Sequence, residues 1–243
     1  MDLPDAPIVV LLRNGAGPDD RYVQAFAERG ITASCVPVLA FQFPNQPALR
    51  ERLSVPDRYA GLIATSPRAV RAVAEARDAV EPWAAWTTKS AYAVGPKTAA
   101  ALRGLGIDPE GEQTGSAAAL SAVIAKKENP YLFVCGNRRR EVLPEALREA
   151  GISFEELMVY KTILRTDLEI PVPRKGDWLV FFSPSGVEAI STYAPKQMKQ
   201  YRLATIGPTT AESLRTRGQT PEAVADAPSP DALVAAIERA ARG

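Results

Sequence analysis

The sequence contains no histidine. That absence excludes a Ser-His-Asp or Cys-His catalytic arrangement, a His-ligated metal and an imidazole general base. Cysteine is almost as scarce. Cys35 and Cys135 are the only two, neither belongs to a C-x-x-C pair, and two thiols without other ligands do not make the usual structural zinc site. Both are expected to be buried free thiols in a reducing cytosol. Long apolar runs are missing too: the longest, such as Ile8 to Leu12 and Trp178 to Phe182, have about five residues, where a membrane-spanning helix needs about 20. Met1-Asp2-Leu3-Pro4-Asp5 has neither the basic stretch nor the apolar core of a secretory signal. The expectation is a soluble, cytoplasmic protein with no membrane partner.

Nor is there an excess of charge. Lys plus Arg number 29 and Asp plus Glu 28, which argues against a protein built to coat nucleic acid or an anionic membrane. No G-x-x-x-x-G-K-[ST] and no G-x-S-x-G is present. Asn14-Gly15-Ala16-Gly17 carries part of a dinucleotide fingerprint, but Asp20 stands where its third glycine belongs.

What is present is ordinary globular material: 243 residues, 46% hydrophobic and 23% charged, enough for one large domain or two of roughly 120 residues. Arg supplies 21 of the 29 cations, and its planar fork suits bidentate carboxylate recognition. Periodicity predicts strands over 8–12, 32–39, 59–65, 91–94, 131–135, 153–160, 178–182 and 203–206. It predicts helices over 19–29, 67–79, 97–105, 116–127, 141–150, 186–193, 209–217 and 231–241. Pro44, Pro47 and Pro56 are spaced too closely for a regular helix between them. Alternating strands and helices imply parallel sheets covered on both faces.

The chain also repeats itself. Ala64-Thr65-Ser66-Pro67-Arg68-Ala69-Val70 matches Phe182-Ser183-Pro184-Ser185-Gly186-Val187. Ala93-Val94-Gly95-Pro96-Lys97-Thr98-Ala99 matches Thr205-Ile206-Gly207-Pro208-Thr209-Thr210-Ala211, and Glu28-Arg29-Gly30-Ile31 matches Glu149-Ala150-Gly151-Ile152. Two similar α/β domains follow, and periodicity alone would cut the chain near residue 128.

The first two pairs fall at strand-to-helix junctions. Ser66 and Ser183 stand as N-caps, with proline as the first helical residue. Gly95 and Gly207 allow a tight turn or close backbone approach. In an open parallel sheet such junctions lie at the carboxyl ends of the strands, where ligands bind, and helix starts there suit carboxylate or phosphate. Plain capping is the competing reading. Candidate cations are Arg68, Lys97, Arg138, Arg139, Arg140 and Arg202, with at least one of Arg138–Arg140 expected to be a solvated surface charge.

These motifs, with Val159-Tyr160-Lys161-Thr162, Phe181-Phe182-Ser183-Pro184-Ser185-Gly186 and Ala204-Thr205-Ile206-Gly207-Pro208-Thr209-Thr210-Ala211, resemble the uroporphyrinogen-III synthases over nearly the whole chain. The resemblance implies a cofactor-free and metal-free lyase. Such an enzyme closes the linear tetrapyrrole hydroxymethylbilane into uroporphyrinogen III, with loss of water and inversion of ring D. It implies two flavodoxin-like α/β domains joined by a two-stranded linker, with substrate in the cleft between them. One domain would comprise residues 1–38 and 166–243 and the other 42–160, with linkers near 37–42 and 160–167. By motif match, Thr65, Ser66, Arg68, Thr98, Ser183, Arg202, Gly207, Thr209 and Thr210 would bind substrate. Tyr160 would assist as proton donor; a packing role for its ring is the competing reading. The expected partner is the small-molecule substrate of a monomer. A non-catalytic two-domain binder of a small anionic ligand is the leading alternative, and a nucleotide-dependent enzyme is disfavoured by the missing phosphate loop.

Overall fold

The computed structural model describes residues 7–15, 19–81 and 83–242. Met1–Asp5, and Ala16 and Gly17 of the partial fingerprint, lie outside the described residues.

The chain opens with β1 (Val9–Leu12), α1 (Arg21–Ala27), β2 (Ala33–Cys35) and β3 (Leu39–Gln42). It continues through α2 (Gln46–Leu53), β4 (Gly61–Ala64), α3 (Pro67–Arg77), α4 (Trp83–Thr87), β5 (Ser90–Ala93) and α5 (Pro96–Arg103). Then come α6 (Ala117–Ser121), β6 (Tyr131–Gly136), α7 (Val142–Glu149) and β7 (Phe154–Leu164). It closes with β8 (Trp178–Phe181), α8 (Pro184–Tyr193), α9 (Pro195–Met198), β9 (Arg202–Thr205), α10 (Pro208–Arg215), β10 (Ala223–Val224) and α11 (Pro230–Arg242).

Two compact units divide these elements. The first is built from residues up to Ala40 and from Ile163 onward, the second from Phe41–Thr162. Each holds a five-stranded sheet, in the order β10-β9-β8-β1-β2 in the first and β3-β7-β6-β4-β5 in the second. The β1–β8, β8–β9, β1–β2, β4–β6, β4–β5 and β6–β7 pairings are all parallel. The expected α/β class with two parallel-sheet domains is what is observed. The chain changes unit within β3 and again within β7, which are neighbours in the second sheet.

The short strands are apolar throughout because both faces are covered. In the first unit Val10 and Leu12 face Val187, Ile190 and Leu214, whereas Val9 and Leu11 face Phe26, Leu233 and Ile237. In the second, Leu62 and Ala64 pack with Leu53, Val73 and Leu102, whereas Ile63 packs with Leu120, Leu143 and Leu147. Each such Val, Leu, Ile or Phe side chain stabilises the fold by about 1.5–3 kcal/mol.

The structure corrects several boundaries. The strand expected over 32–39 breaks into β2 and β3 around Pro37, which has no N–H for a ladder. Pro47 does not prevent α2: it lies in the helix's first turn, where no N–H is needed. The helix expected over 116–127 stops at Ser121. Beyond it the Ala125 N–H donates to the Tyr92 hydroxyl and the Ala125 carbonyl accepts from Tyr131, so side chains replace the helical ladder. Cys135 is buried as expected, but Cys35 is only half-buried.

Candidate functional site

A concentration of polar and charged side chains lies in the second unit, at the carboxyl ends of its strands. Sheet order reverses direction between β4 and β6. Loops leaving those two strands run to opposite faces and open a crevice, the usual ligand position in such sheets. A cavity of ≈ 390 Å³ lies there, within the range of small-ligand sites. Thr65 and Ser66 enter it from the end of β4, Arg138, Arg139 and Arg140 from the turn after β6, and Tyr160 from β7. Phe133, Leu143 and Val94 supply apolar surface.

Ser66 is the N-cap of α3: its Oγ accepts the Arg68 backbone N–H at 3.2 Å. The same oxygen accepts the Tyr160 hydroxyl at 3.2 Å. Tyr160 reaches it because the register of β6 and β7 slips by one residue. Cys135 pairs with Met158, but Gly136 pairs with Tyr160. Tyr160 therefore packs against the same apolar cluster as its neighbour Val159, which strict alternation forbids and a bulge allows. The ring then lies over Gly136, where a Cβ would come 2.3 Å from Tyr160 Cζ.

Asn137 holds the arginine turn against β7. Its Oδ1 accepts from Thr162 N–H at 2.8 Å, and its own N–H donates to the Tyr160 carbonyl at 3.2 Å. Arg139 donates to Glu156 and Glu141, and the Glu156 bond holds the guanidinium in its charged form, raising its pKa. Arg139 therefore has a structural task. Arg140 is exposed on the cavity rim and makes no ion pair among the described residues. Cys135 donates to Glu156 at 3.3 Å. Burial, then the Glu156 charge, pushes its thiol up to about 12, so it is an inert neighbour and not a nucleophile. Sequence reasoning missed Asn137 and Glu156, since a lone polar residue in a turn or on a strand carries no pattern.

The remaining expected residues scatter. Arg68 is exposed and lies over the Phe41 ring at 3.9 Å; it does not line the cavity. Thr98 is 2% exposed, on the inner face of α5. In the first unit Ser183 caps α8, accepting Gly186 N–H at 3.3 Å. Gly207, Thr209 and Thr210 line a second cavity, of ≈ 200 Å³, with Asp226 and Pro228. Gly207 is extended at φ 170 and a Cβ there would meet nothing within 4 Å. Its conformation does not require glycine, unlike Gly95 at φ 79. Arg202 is not brought to these loops. It opens β9, at the opposite end of the strand from Gly207, about 3.3 Å further per residue. There its guanidinium binds Glu222 and the Ala240 carbonyl and covers the Trp178 ring.

Among the described residues no group of His, Cys, Asp and Glu side chains could hold a metal ion, and no helix is long and apolar enough to cross a membrane.

Residues 20–235 match the family model described as Uroporphyrinogen-III synthase HemD. The chain is 30% identical over 246 residues to a uroporphyrinogen-III synthase of Schizosaccharomyces pombe, covering 94% of this chain and 95% of that protein. It is 30% identical over 262 residues to that of Saccharomyces cerevisiae, covering 95% of each. Among solved structures, the Helicobacter pylori uroporphyrinogen-III synthetase matches with a TM-score of 0.60 at 20% identity, over 95% of this chain and 97% of that one. A mutant Thermus thermophilus uroporphyrinogen III synthase matches with a TM-score of 0.54 at 20% identity, over 98% and 99%.

Proposed function

The chain belongs to the uroporphyrinogen-III synthase family, and on that premise we propose which of its residues carry the reaction. The activity is that of a uroporphyrinogen-III synthase, a hydro-lyase of tetrapyrrole biosynthesis, and the family implies hydroxymethylbilane as substrate. The substrate bears acetate and propionate groups on every ring, so it needs many anion donors and one group that helps a hydroxyl depart.

In this reading, ring A of the substrate loses its hydroxyl at the crevice of the second unit. Thr65 and the guanidinium groups of Arg138 and Arg140 take its carboxylates, Ser66 contacts the hydroxymethyl end of ring A, and Tyr160 serves proton transfer to the leaving oxygen. Gly207, Thr209 and Thr210 in the first unit, with Ser183 at the start of α8, offer backbone N–H groups and hydroxyls to further carboxylates. Loss of the hydroxyl gives an azafulvene, which the substituted carbon of ring D attacks by way of a spiro intermediate. Holding a flexible chain for that attack is worth about 7–11 kcal/mol in well-placed intramolecular reactions. Thr98 and Arg202 are left out, the one for its burial and the other for its place at the wrong end of β9. The reading carries with it a monomer in the cytoplasm that needs no added cofactor.

The observation that supports it most is the meeting of Tyr160, Ser66 and three arginines at one sheet crossover. The test is incubation with enzymatically generated hydroxymethylbilane, followed by isomer analysis. Wild-type protein should yield isomer III above the spontaneous isomer-I background. Tyr160→Phe should yield the same isomer more slowly, by the roughly 10²–10⁴-fold that acid–base assistance supplies. A wild-type rate in Tyr160→Phe would remove the tyrosine from the mechanism.

A further inference from the structure

We propose that the hydroxyl donating to the departing oxygen is that of Ser66, with Tyr160 acting behind it as the source of the proton. The proposal rests on the reading above that Tyr160 takes part in the reaction, and it adds the order of the groups. A serine hydroxyl has one hydrogen and two lone pairs. Ser66 Oγ spends one lone pair on the Arg68 N–H, which caps α3, and the other on the Tyr160 O–H. Its single hydrogen is then left to point into the cavity that the residue lines. In this order the phenol hydrogen is directed at Ser66 and not at the cavity. Ser183 makes a useful contrast: it caps α8 in the same way, accepting from Gly186 N–H, and no tyrosine donates to it among the described residues.

The step balances without a redox partner. The carbon–oxygen bond of the hydroxymethyl group breaks and its electron pair leaves with the oxygen. Ser66 delivers its hydrogen to that oxygen, which departs as water, while Ser66 Oγ takes the hydrogen of Tyr160. The pyrrole nitrogen lone pair fills the vacancy at carbon. The proton that the substrate releases as ring closure restores the pyrrole returns to the phenolate through Ser66.

A double-mutant cycle on single-turnover formation of isomer III tests the order. Ser66→Gly removes the hydroxyl while keeping an N-cap nearly as good as serine, and Ser66→Thr keeps both. Tyr160→Phe and Ser66→Gly should each be slowed by about 10²-fold or more. The double variant should be no slower than Ser66→Gly by more than about threefold, because both changes cut one chain. Ser66→Thr should recover most of the wild-type rate. A double variant slowed by the product of the two single losses would overturn the relay and leave Tyr160 acting on substrate directly. So would a Ser66→Gly variant as fast as wild type. If Tyr160→Phe itself runs at the wild-type rate, the underlying reading fails instead, whatever Ser66 does.

Discussion

The two units correspond element by element, provided the first is read from its middle. Starting at β8, the first unit runs β8-α8-α9-β9-α10-β10-α11 and then, from the chain's beginning, β1-α1-β2. The second runs β4-α3-α4-β5-α5, a bridge at Glu110, α6, β6-α7-β7. The duplicated sequences fall on the same places: Ser183-Pro184 and Ser66-Pro67 start α8 and α3, and Gly207-Pro208 and Gly95-Pro96 start α10 and α5. The spatial orders β9-β8-β1-β2 and β5-β4-β6-β7 then coincide. Where the first unit has β10 against β9, the second has only Glu110 paired with Tyr92. The sheet order, and with it the crevice, is a property of the packed elements and not of where the chain enters.

The same crevice nevertheless carries different chemistry in the two units. At the end of β6, and just after its counterpart β1, a glycine lies under a side chain from the neighbouring strand: Gly136 under Tyr160, and Gly15 against Cys35. The cavity beside Cys35 is ≈ 90 Å³ and lined by Asp167 and Glu169 as well as Arg165, a poor match for a polycarboxylate. Phe182 stands where the second unit has Thr65, and Arg13 lies against it, paired with Asp20. One scaffold thus supplies two positions, and among the described residues the second unit's cavity is lined by a tyrosine, a serine and arginines together, whereas the cavity beside Cys35 is not.

Substitutions in the two units can break this contrast. The largest effect is expected from Gly136→Ala, because the new methyl displaces the Tyr160 ring and its bond to Ser66. Isomer III formation should fall by about 10²-fold or more. Gly15→Ala should instead destabilise the first unit by about 1–3 kcal/mol through overpacking against Cys35, with turnover kept. Equal losses of rate in both would erase the asymmetry. Next comes Asp177, a fully buried carboxylate that accepts the Ile8 and Arg174 N–H groups and anchors the start of β1. At the equivalent place in the second unit, Ala60, the backbone alone does this, through its N–H and the Pro130 carbonyl. Asp177→Ala should cost about 1–3 kcal/mol for each donor stranded, read by chemical denaturation.

Smaller still, Arg202→Met should lower stability by about 1 kcal/mol, from the lost Trp178 stack and Glu222 pair, with KM unchanged. Arg140→Met should raise KM and leave the melting temperature alone. The reverse pattern would return Arg202 to the substrate. The smallest effect concerns Glu155 at the start of β7. Burial opposes its charge, yet hydrogen bonds from Tyr59 and Arg52 hold its carboxyl below the usual range. A depressed carboxylate contributes stability that is complete above its unfolded value, about 4.3, and is lost as pH falls through the folded one. Glu155→Gln should therefore weaken the protein at neutral pH by about 0.2–1 kcal/mol and flatten the acid limb of its pH–stability curve.

Much of the fold was legible because its signals are local. Apolar runs such as Ile8 to Leu12 announce strands buried on both faces, and Ser66-Pro67 and Ser183-Pro184 announce helix starts that the structure caps as expected. What was misread depended on partners distant in sequence. The end of α6 is set by Tyr92 and Tyr131, and the aim of Tyr160 by a slip in register against Gly136. Motif matching grouped Arg202 with Thr209 because Arg202 precedes the strand into Gly207, where the family pattern suggests a cation. A strand, however, carries its two ends to opposite edges of a sheet, so only one of them can reach the carboxyl-end loops. The duplication was visible, but its permuted order was not, since the matches keep the same order along the chain and only the strand pairing reveals which element each half starts from.

The central claim is that the chemistry resides in the second unit's crevice and not in its counterpart. The most direct measurement is the single-turnover rate of isomer III formation in Tyr160→Phe and in Cys35→Ala, the residues that cover Gly136 and Gly15. Tyr160→Phe should be slowed by about 10²–10⁴-fold, and Cys35→Ala should match wild type. A wild-type rate in Tyr160→Phe, or a comparable loss in Cys35→Ala, would contradict the account.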